Sequence, residues 1–219
     1  MDLKYIAEKT RNVFNNLVEE KFLKDYTLVD GTALSLQLKH RLSEDLYFIY
    51  DGILLETQLI LEFIDKIFKD NYTLIKQDND HQLDFLVDDI KVTFFTNKSV
   101  MISFNVKDHS TKFKQINIAT PEIIAVMIIN AMPQGYTIRD YYDLYFIAKN
   151  IIPLKIIYQR FKSFLSNVSD ITYSESIIYV DDIKEEAISV HLSPAEKISK
   201  YEIADYFVTE IKNLYNIKN

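Results

Sequence analysis

The chain of 219 residues contains no cysteine and no tryptophan, and it has only three glycines and four prolines. Without cysteine, neither disulfides nor thiolate metal sites can form. So little glycine and proline predicts long ordered elements, few tight turns and no disordered linker. No apolar run approaches the length that spans a membrane, and the opening MDLKYIAEKTRN lacks an apolar signal core, so a cytoplasmic protein is expected. Cationic charge is in short supply as well. Against 32 Asp and Glu stand 25 Lys and Arg, a formal net charge of −7. That balance argues against sequence-nonspecific binding to long nucleic acid, DNA included, which needs a dense cationic surface. What the chain does have is apolar and aromatic: 48% hydrophobic residues, with 15 Tyr and 14 Phe, enough to build a sizeable core from these two rings.

Apolar periodicity gives the order of elements. Leu3, Ile6, Ala7, Val13, Phe14, Leu17 and Phe22 follow the helical period over residues 3–23. Residues 26–29 read as a short strand that stops at Asp30 and Gly31. A helix then begins with Thr32 as its N-cap and carries Lys39, His40 and Arg41 in its last turn. A second strand is expected over 45–50. The stretch 54–68 is amphipathic, with Leu55, Leu59, Phe63 and Ile67 four apart and Ile60, Ile64 and Phe68 widening the stripe. From Tyr72 the period is two, predicting strands at 72–75, 82–87, 90–95 and 100–106, with 113–118 as another, in an antiparallel meander. Helices return at Thr120, Pro121 and Glu122 and run to 132, break at 133–135, and resume over 137–149 and from 153 to about 167. The stretch 168–190 is the least regular and holds a candidate extended segment at 174–180. Ser193 and Glu196 have capping-box spacing for a last helix reaching Tyr215. The expected class is α+β: a mixed sheet with flanking helices over 1–119, then a helical part over 120–219.

The stretch 29–51, VDGTALSLQLKHRLSEDLYFIYD, carries the most specific signal. It resembles the AbiEii type (AbiEii/AbiGii) of abortive-infection nucleotidyltransferase, the toxin half of a bacterial toxin–antitoxin pair, whose pattern runs approximately GGTALxLxxxHRxSxDxDFF. Gly31, Thr32, Ala33, Leu34, His40, Arg41, Ser43 and Asp45 fall on that pattern in register. A second block is similar to the family's "KDxxDLYFL": Arg139, Asp140, Asp143 and Leu144 to Ile147. The resemblance implies a nucleotidyltransferase fold that moves a nucleoside monophosphate from a nucleoside triphosphate (NTP) to an RNA or protein hydroxyl, transfer RNA being one candidate acceptor, with Mg2+ and with an antitoxin as partner. It also implies roles. Asp45 would hold the metal, Asp140 and Asp143 would belong to the catalytic set, and Gly31, Thr32, Arg41, Ser43 and Arg139 would bind nucleotide and phosphate.

Three positions depart from the family. Its second aspartate, two residues beyond Asp45 and on the same face of the strand, is Tyr47 here; its third, on the strand around residue 93, is Thr93; its lysine on the following helix is Ile128. A phenol ionises only near about pH 10 and is a poor magnesium ligand at neutral pH. Two accounts therefore stand: an active nucleotidyltransferase, or a catalytically degenerate member that binds a nucleotide or a partner. Each retained residue has a structural reading beside the functional one. Asp45 is a metal ligand or an acceptor for Arg41 or for backbone N–H groups. Gly31 and Thr32 form a phosphate cradle or a plain turn and cap. Asp140 and Asp143 take part in chemistry or orient Arg139 and the helix junction. Asp84 and Asp89 are the carboxylates a different strand register would bring to the site.

Overall fold

The computed structural model describes residues 1–165 and 169–215, which divide into two compact units, Met1–Thr120 and Pro121–Asn219.

The first unit is a seven-stranded sheet. Its strands are β1 (Tyr26–Val29), β2 (Leu46–Tyr50), β3 (Tyr72–Asp78), β4 (Gln82–Val87), β5 (Ile90–Thr96), β6 (Ser110–Phe113) and β7 (Ile116–Ala119), in the order β3-β4-β5-β2-β1-β7-β6. The expected meander is present as β3-β4-β5. It joins the rest through a parallel pair, β2 with β5, and β1 pairs in parallel with β7. The sheet is therefore mixed. One face is aromatic: Phe48 stacks on Phe94 at 5.5 Å, and Phe85 and Tyr26 meet Phe94 edge-on at 6.1 and 5.4 Å. Each such pair adds about 0.5–1.5 kcal/mol beyond the area it buries.

Helices pack on the sheet, and two of them differ from the sequence expectation. Residues 3–23 are not one helix. They form a 3-10 turn (Leu3–Tyr5), α1 (Glu8–Leu17) and a second 3-10 turn (Lys21–Asp25), because the Asp2 carboxylate caps the first turn and Ile6 and Ala7 stay extended to bond residue 43. The helix after β2, α3 (Thr57–Phe68), starts three residues later than expected and buries Ile60, Phe63, Ile64 and Phe68 while Leu59 is exposed. Apolar residues surround most of this helix, so spacing alone does not choose the face. Phe63 chooses it by meeting Phe94 at 6.5 Å and Phe22 at 4.3 Å.

Residues 100–106 are not a strand. Their backbone is held by turn bonds and side chains instead of a ladder: the Met101 and Ile102 N–H groups donate to the Lys98 and Asn97 carbonyls at 3.2 and 2.9 Å, the Asp51 carboxylate accepts the Val106 and Lys107 N–H groups at 2.8 Å each, and Asn97 Nδ2 donates to the Phe104 carbonyl at 2.8 Å. Ile102 and Val106 are buried beneath that loop, which explains the alternating pattern without a strand.

The second unit is helical among its described residues: α4 (Pro121–Ala131), α5 (Ile138–Asn150), α6 (Leu154–Phe164), α7 (Asp170–Ile178) and α8 (Lys200–Leu214). A 3-10 turn and Gly135, at φ 111°, separate α4 from α5. Residues 166 and 167, to which α6 was expected to run, lie outside the described residues, as does 168. The segment 174–180 is mostly helix, in α7, not extended. Tyr173 packs on Phe161 at 4.3 Å, and the Ile177 carbonyl accepts the Tyr141 hydroxyl at 2.8 Å, contacts that outweigh the strand propensity of a short Ile-Ile-Tyr-Val run. The last helix starts six residues later than expected. Ser193 sits at φ 46° after a 3-10 turn, and the capping box is Ser199 with Glu202, a second instance of the same spacing. No helix among the described residues is long and apolar enough to cross a membrane.

Candidate functional site

β1 ends at Val29 and α2 (Asp30–Leu38) follows without a loop, its first residue Asp30 held at φ 63°. Gly31 has no positive φ, and its requirement is space. A Cβ placed there would lie 2.3 Å from Arg41 Nη2, 3.1 Å from Arg41 Cζ and 3.2 Å from Ser43 Oγ. The guanidinium, in a residue only 3% exposed, thus rests on the first turn of α2, and its Nη1 donates to the Leu42 carbonyl at 2.9 Å.

Thr32 is not the N-cap; Val29 holds that position. The Thr32 hydroxyl instead donates to the Asp45 backbone carbonyl and pairs with the Ser43 hydroxyl at 2.8 Å, tying the start of α2 to the residues that lead into β2. α2 ends at Leu38, and the left-handed Lys39 turns the chain so that His40 is buried and Arg41 returns beneath Gly31. Gly31, Thr32, Arg41, Ser43 and the half-buried Asp45 are therefore one constellation within the first unit.

Strand register shows what stands beside Asp45. One cross-strand row runs Val29 (β1), Tyr47 (β2), Thr93 (β5), Asp84 (β4) and Lys76 (β3). The two positions where the family resemblance leads to carboxylates are thus direct neighbours on parallel strands. They present a phenol and a hydroxyl. Asp45 immediately precedes Leu46 and Lys91 immediately precedes Val92, so the two flank the same end of the parallel β2–β5 pair. Residues two apart on a strand share a face, so Lys91 lies on the same side as Thr93; Asp45 is the residue that leads into β2.

Asp84 is the carboxylate within that row, and it is occupied. It is 4% exposed; its Oδ1 accepts the Thr93 hydroxyl at 3.0 Å and Gln82 Nε2 at 2.8 Å, and its Oδ2 pairs with Lys91 Nζ at 3.1 Å. The Lys91 ammonium also lies 5.7 Å from the centroid of the Tyr47 ring. A pair of magnesium ions needs bridging anionic oxygens in near-octahedral array. Asp45, Tyr47 and Thr93 offer one carboxylate, and no group of three Asp, Glu or His side chains that could hold a metal occurs among the described residues. The donor set does not fit a two-metal centre.

In the second unit, Asp140 closes a capping box on α5: its carboxylate accepts the Thr137 N–H and hydroxyl at 2.8 Å each. Asp143 is fully buried one turn on, Arg139 is half-buried, and Ile128 on α4 is part of that unit's apolar core. The sequence reading had passed over Lys91 and Gln82. The available signal was alternation: Lys91 precedes Thr93 by two in a strand and must share its face. Cavities of about 530 and 550 Å3 beside Phe22 and Leu59 in the first unit, and one of about 360 Å3 beside Tyr136 in the second, share no residue with the constellation.

Comparison with known proteins follows the same lines. The model of the family described as nucleotidyl transferase AbiEii toxin, type IV toxin–antitoxin system, matches residues 13–200. An uncharacterized protein of Aquifex aeolicus is 26% identical over 214 residues, covering 96% of this chain and 98% of that protein. Among solved structures, MenT4, a nucleotidyltransferase toxin of Mycobacterium tuberculosis, superposes with a TM-score of 0.54 at 11% identity, covering 97% of this chain and 87% of its own. JHP933 of Helicobacter pylori gives 0.51 at 18% identity, covering 96% and 95%. At such identities the two structures speak for the fold alone.

Proposed function

The chain belongs to the AbiEii nucleotidyltransferase toxin family of type IV toxin–antitoxin systems, and on that footing we propose that its first unit binds the triphosphate of an NTP but does not carry out two-metal nucleotidyl transfer. The helix that opens at Asp30 turns the free N–H groups of its first turn and the positive end of its dipole toward any anion seated there. Arg41 rests against that turn and Ser43 lines it, so an incoming phosphate meets cationic and hydroxyl donors. Thr32 serves by fixing the turn to Asp45. An antitoxin is the partner that membership of the family brings with it.

The observation that carries the second half of the proposal is the Tyr47–Thr93 pair. Nucleotidyl transfer draws most of its rate from charge stabilisation on the transferring phosphate. With Tyr47 and Thr93 at these positions and the row's own carboxylate, Asp84, engaged by Thr93, Gln82 and Lys91, the ions that supply such stabilisation in the family have no shared ligands. Members of the family typically use a divalent metal; in this chain no step is routed through one.

A second reading, transfer of a nucleoside monophosphate to transfer RNA or another hydroxyl with Asp45 as the essential carboxylate, is favoured by one feature, the intact Thr32–Ser43–Asp45 network. One experiment separates the two. The purified protein is incubated with each α-labelled ribonucleoside triphosphate, magnesium or manganese, and bulk transfer RNA, and both retention of nucleotide and label in acid-precipitable product are followed. Saturable retention without transfer is expected. Transfer that disappears in Asp45→Ala would overturn the proposal in favour of the second reading, and absence of any retention would overturn both.

A further inference from the structure

We infer that Lys91 is the resident cation of this site, and that the protein takes its nucleoside triphosphate in the metal-free form. The inference deepens the function proposed above and rests on it.

Lys91 lies on β5 on the same face as Thr93, one residue before Val92, the partner of Leu46. Its ammonium is 3.1 Å from Asp84 Oδ2 and 5.7 Å from the Tyr47 ring centroid, so it stands among the side chains of the row that a metal pair would have to use. The side chain keeps 35% of its surface exposed, whereas that of Asp84 keeps 6%. One end of the ion pair is fixed inside the sheet, and the other reaches solvent. Asp84 is held by Thr93 and Gln82 as well, so the carboxylate does not depend on Lys91 alone for partners. The ammonium has three donors, and one carboxylate oxygen engages only part of that capacity.

The chemistry follows from charge. A nucleoside triphosphate carries close to four negative charges when free, and chelating a magnesium ion removes two of them. A two-metal site supplies carboxylates to hold the ions and the ions to meet the phosphates. Here the Tyr47 ring and the Thr93 hydroxyl add no anionic charge, and Lys91 supplies a fixed positive charge that repels a bound divalent cation as it attracts the bare phosphates. The basic groups invoked are the Arg41 guanidinium at the start of α2 and the Lys91 ammonium beside Asp84 and Tyr47. Set against Asp45 and Asp84 they balance the local charge, and such a site suits an uncomplexed triphosphate better than a set of unpaired carboxylates would.

Binding is measured by equilibrium dialysis with ATP, GTP, CTP and UTP separately, each in EDTA and in excess magnesium, for the wild type, Lys91→Arg, Lys91→Met and the double variant Lys91→Met/Asp84→Asn, which leaves no buried carboxylate unpaired. Thermal melts report which variants remain folded. The expected result is that at least one triphosphate binds the wild type in EDTA as tightly as in magnesium or tighter, that both Met variants lose about tenfold or more of the EDTA affinity, and that Lys91→Arg retains it. Binding that requires magnesium would overturn the role of Lys91 and leave the nucleotide site standing. Binding in EDTA that is indifferent to both Met variants would overturn it too. No binding in either condition would overturn the nucleotide site itself. A merely structural Lys91 would change melting temperature without changing the ratio of the two affinities.

Discussion

Gly31→Ala is expected to lower the stability of the protein by about 1–3 kcal/mol, the usual range for forcing extra atoms into a packed interior, and to abolish NTP binding. The added Cβ would stand 2.3 Å from Arg41 Nη2 and 3.2 Å from Ser43 Oγ. A long side chain at the surface would swing away from such a methyl group at little cost. Arg41 cannot do so freely, since it is 3% exposed and its Nη1 is bonded to the Leu42 carbonyl. The clash is with one named group, so a double-mutant cycle isolates it. Gly31→Ala/Arg41→Ala should be less destabilised than the sum of the two single variants, with a coupling of about 0.5–3 kcal/mol in urea denaturation. Additive effects would mean that the guanidinium does not rest on Gly31.

Asp84 and Lys91 form one ion pair but are expected to respond unequally to removal. Asp84→Ala strands the Lys91 ammonium and leaves the Thr93 hydroxyl and the Gln82 amide without their shared acceptor, in a residue 4% exposed. Removing one partner of a fully buried pair costs about 3–5 kcal/mol. Because the lysine end keeps 35% of its side chain exposed, a cost nearer about 2–3 kcal/mol is expected after that discount. Lys91→Met leaves the buried Asp84 carboxylate its two neutral donors, Thr93 and Gln82, but no cation, and should cost about 1–2 kcal/mol. Equilibrium denaturation of the two single variants decides the matter. Equal losses would mean that Lys91 is as deeply committed to the fold as Asp84, and would remove the reason to treat its ammonium as available to a ligand.

How far the sequence announced this arrangement varies from element to element. The β1–turn–α2–β2 stretch was legible because Gly31, Thr32, Arg41, Ser43 and Asp45 fix residue types across a turn and into a strand, and those five residues meet in the structure. Their local roles were less legible. Thr32 has the look of an N-cap, yet its hydroxyl is drawn to Ser43 and the Asp45 carbonyl, contacts made by chain that returns eleven and thirteen residues later. The parallel partnership of β2 with β5 was out of reach for a different reason. Alternation marks a strand but carries no information on which neighbour it takes, and the α3 and β3–β4 segments intervene between the two.

Elsewhere local rules met competing partners. Residues 100–106 alternate like a strand, but Asp51, Asn97 and local turn bonds hold their backbone outside the sheet. Two serines carry capping-box spacing in the C-terminal segment, and spacing cannot rank Ser193 against Ser199. The structure places the helix after the second, where both halves of the box are formed. Lys91 escaped notice because a lysine in a half-exposed strand is ordinary by itself. Its meaning comes from Asp84 and Tyr47, which reach it only through strand pairing.

Crystals of the wild-type protein grown with a non-hydrolysable NTP analogue and manganese, with diffraction recorded at the manganese edge, test the account at its centre. The triphosphate should be found on the first turn of α2, within reach of Arg41 and the Lys91 ammonium, with no manganese pair bridging phosphate and Asp45. Two anomalous peaks about 3.5–4 Å apart, coordinated by Asp45 and the triphosphate, would contradict it.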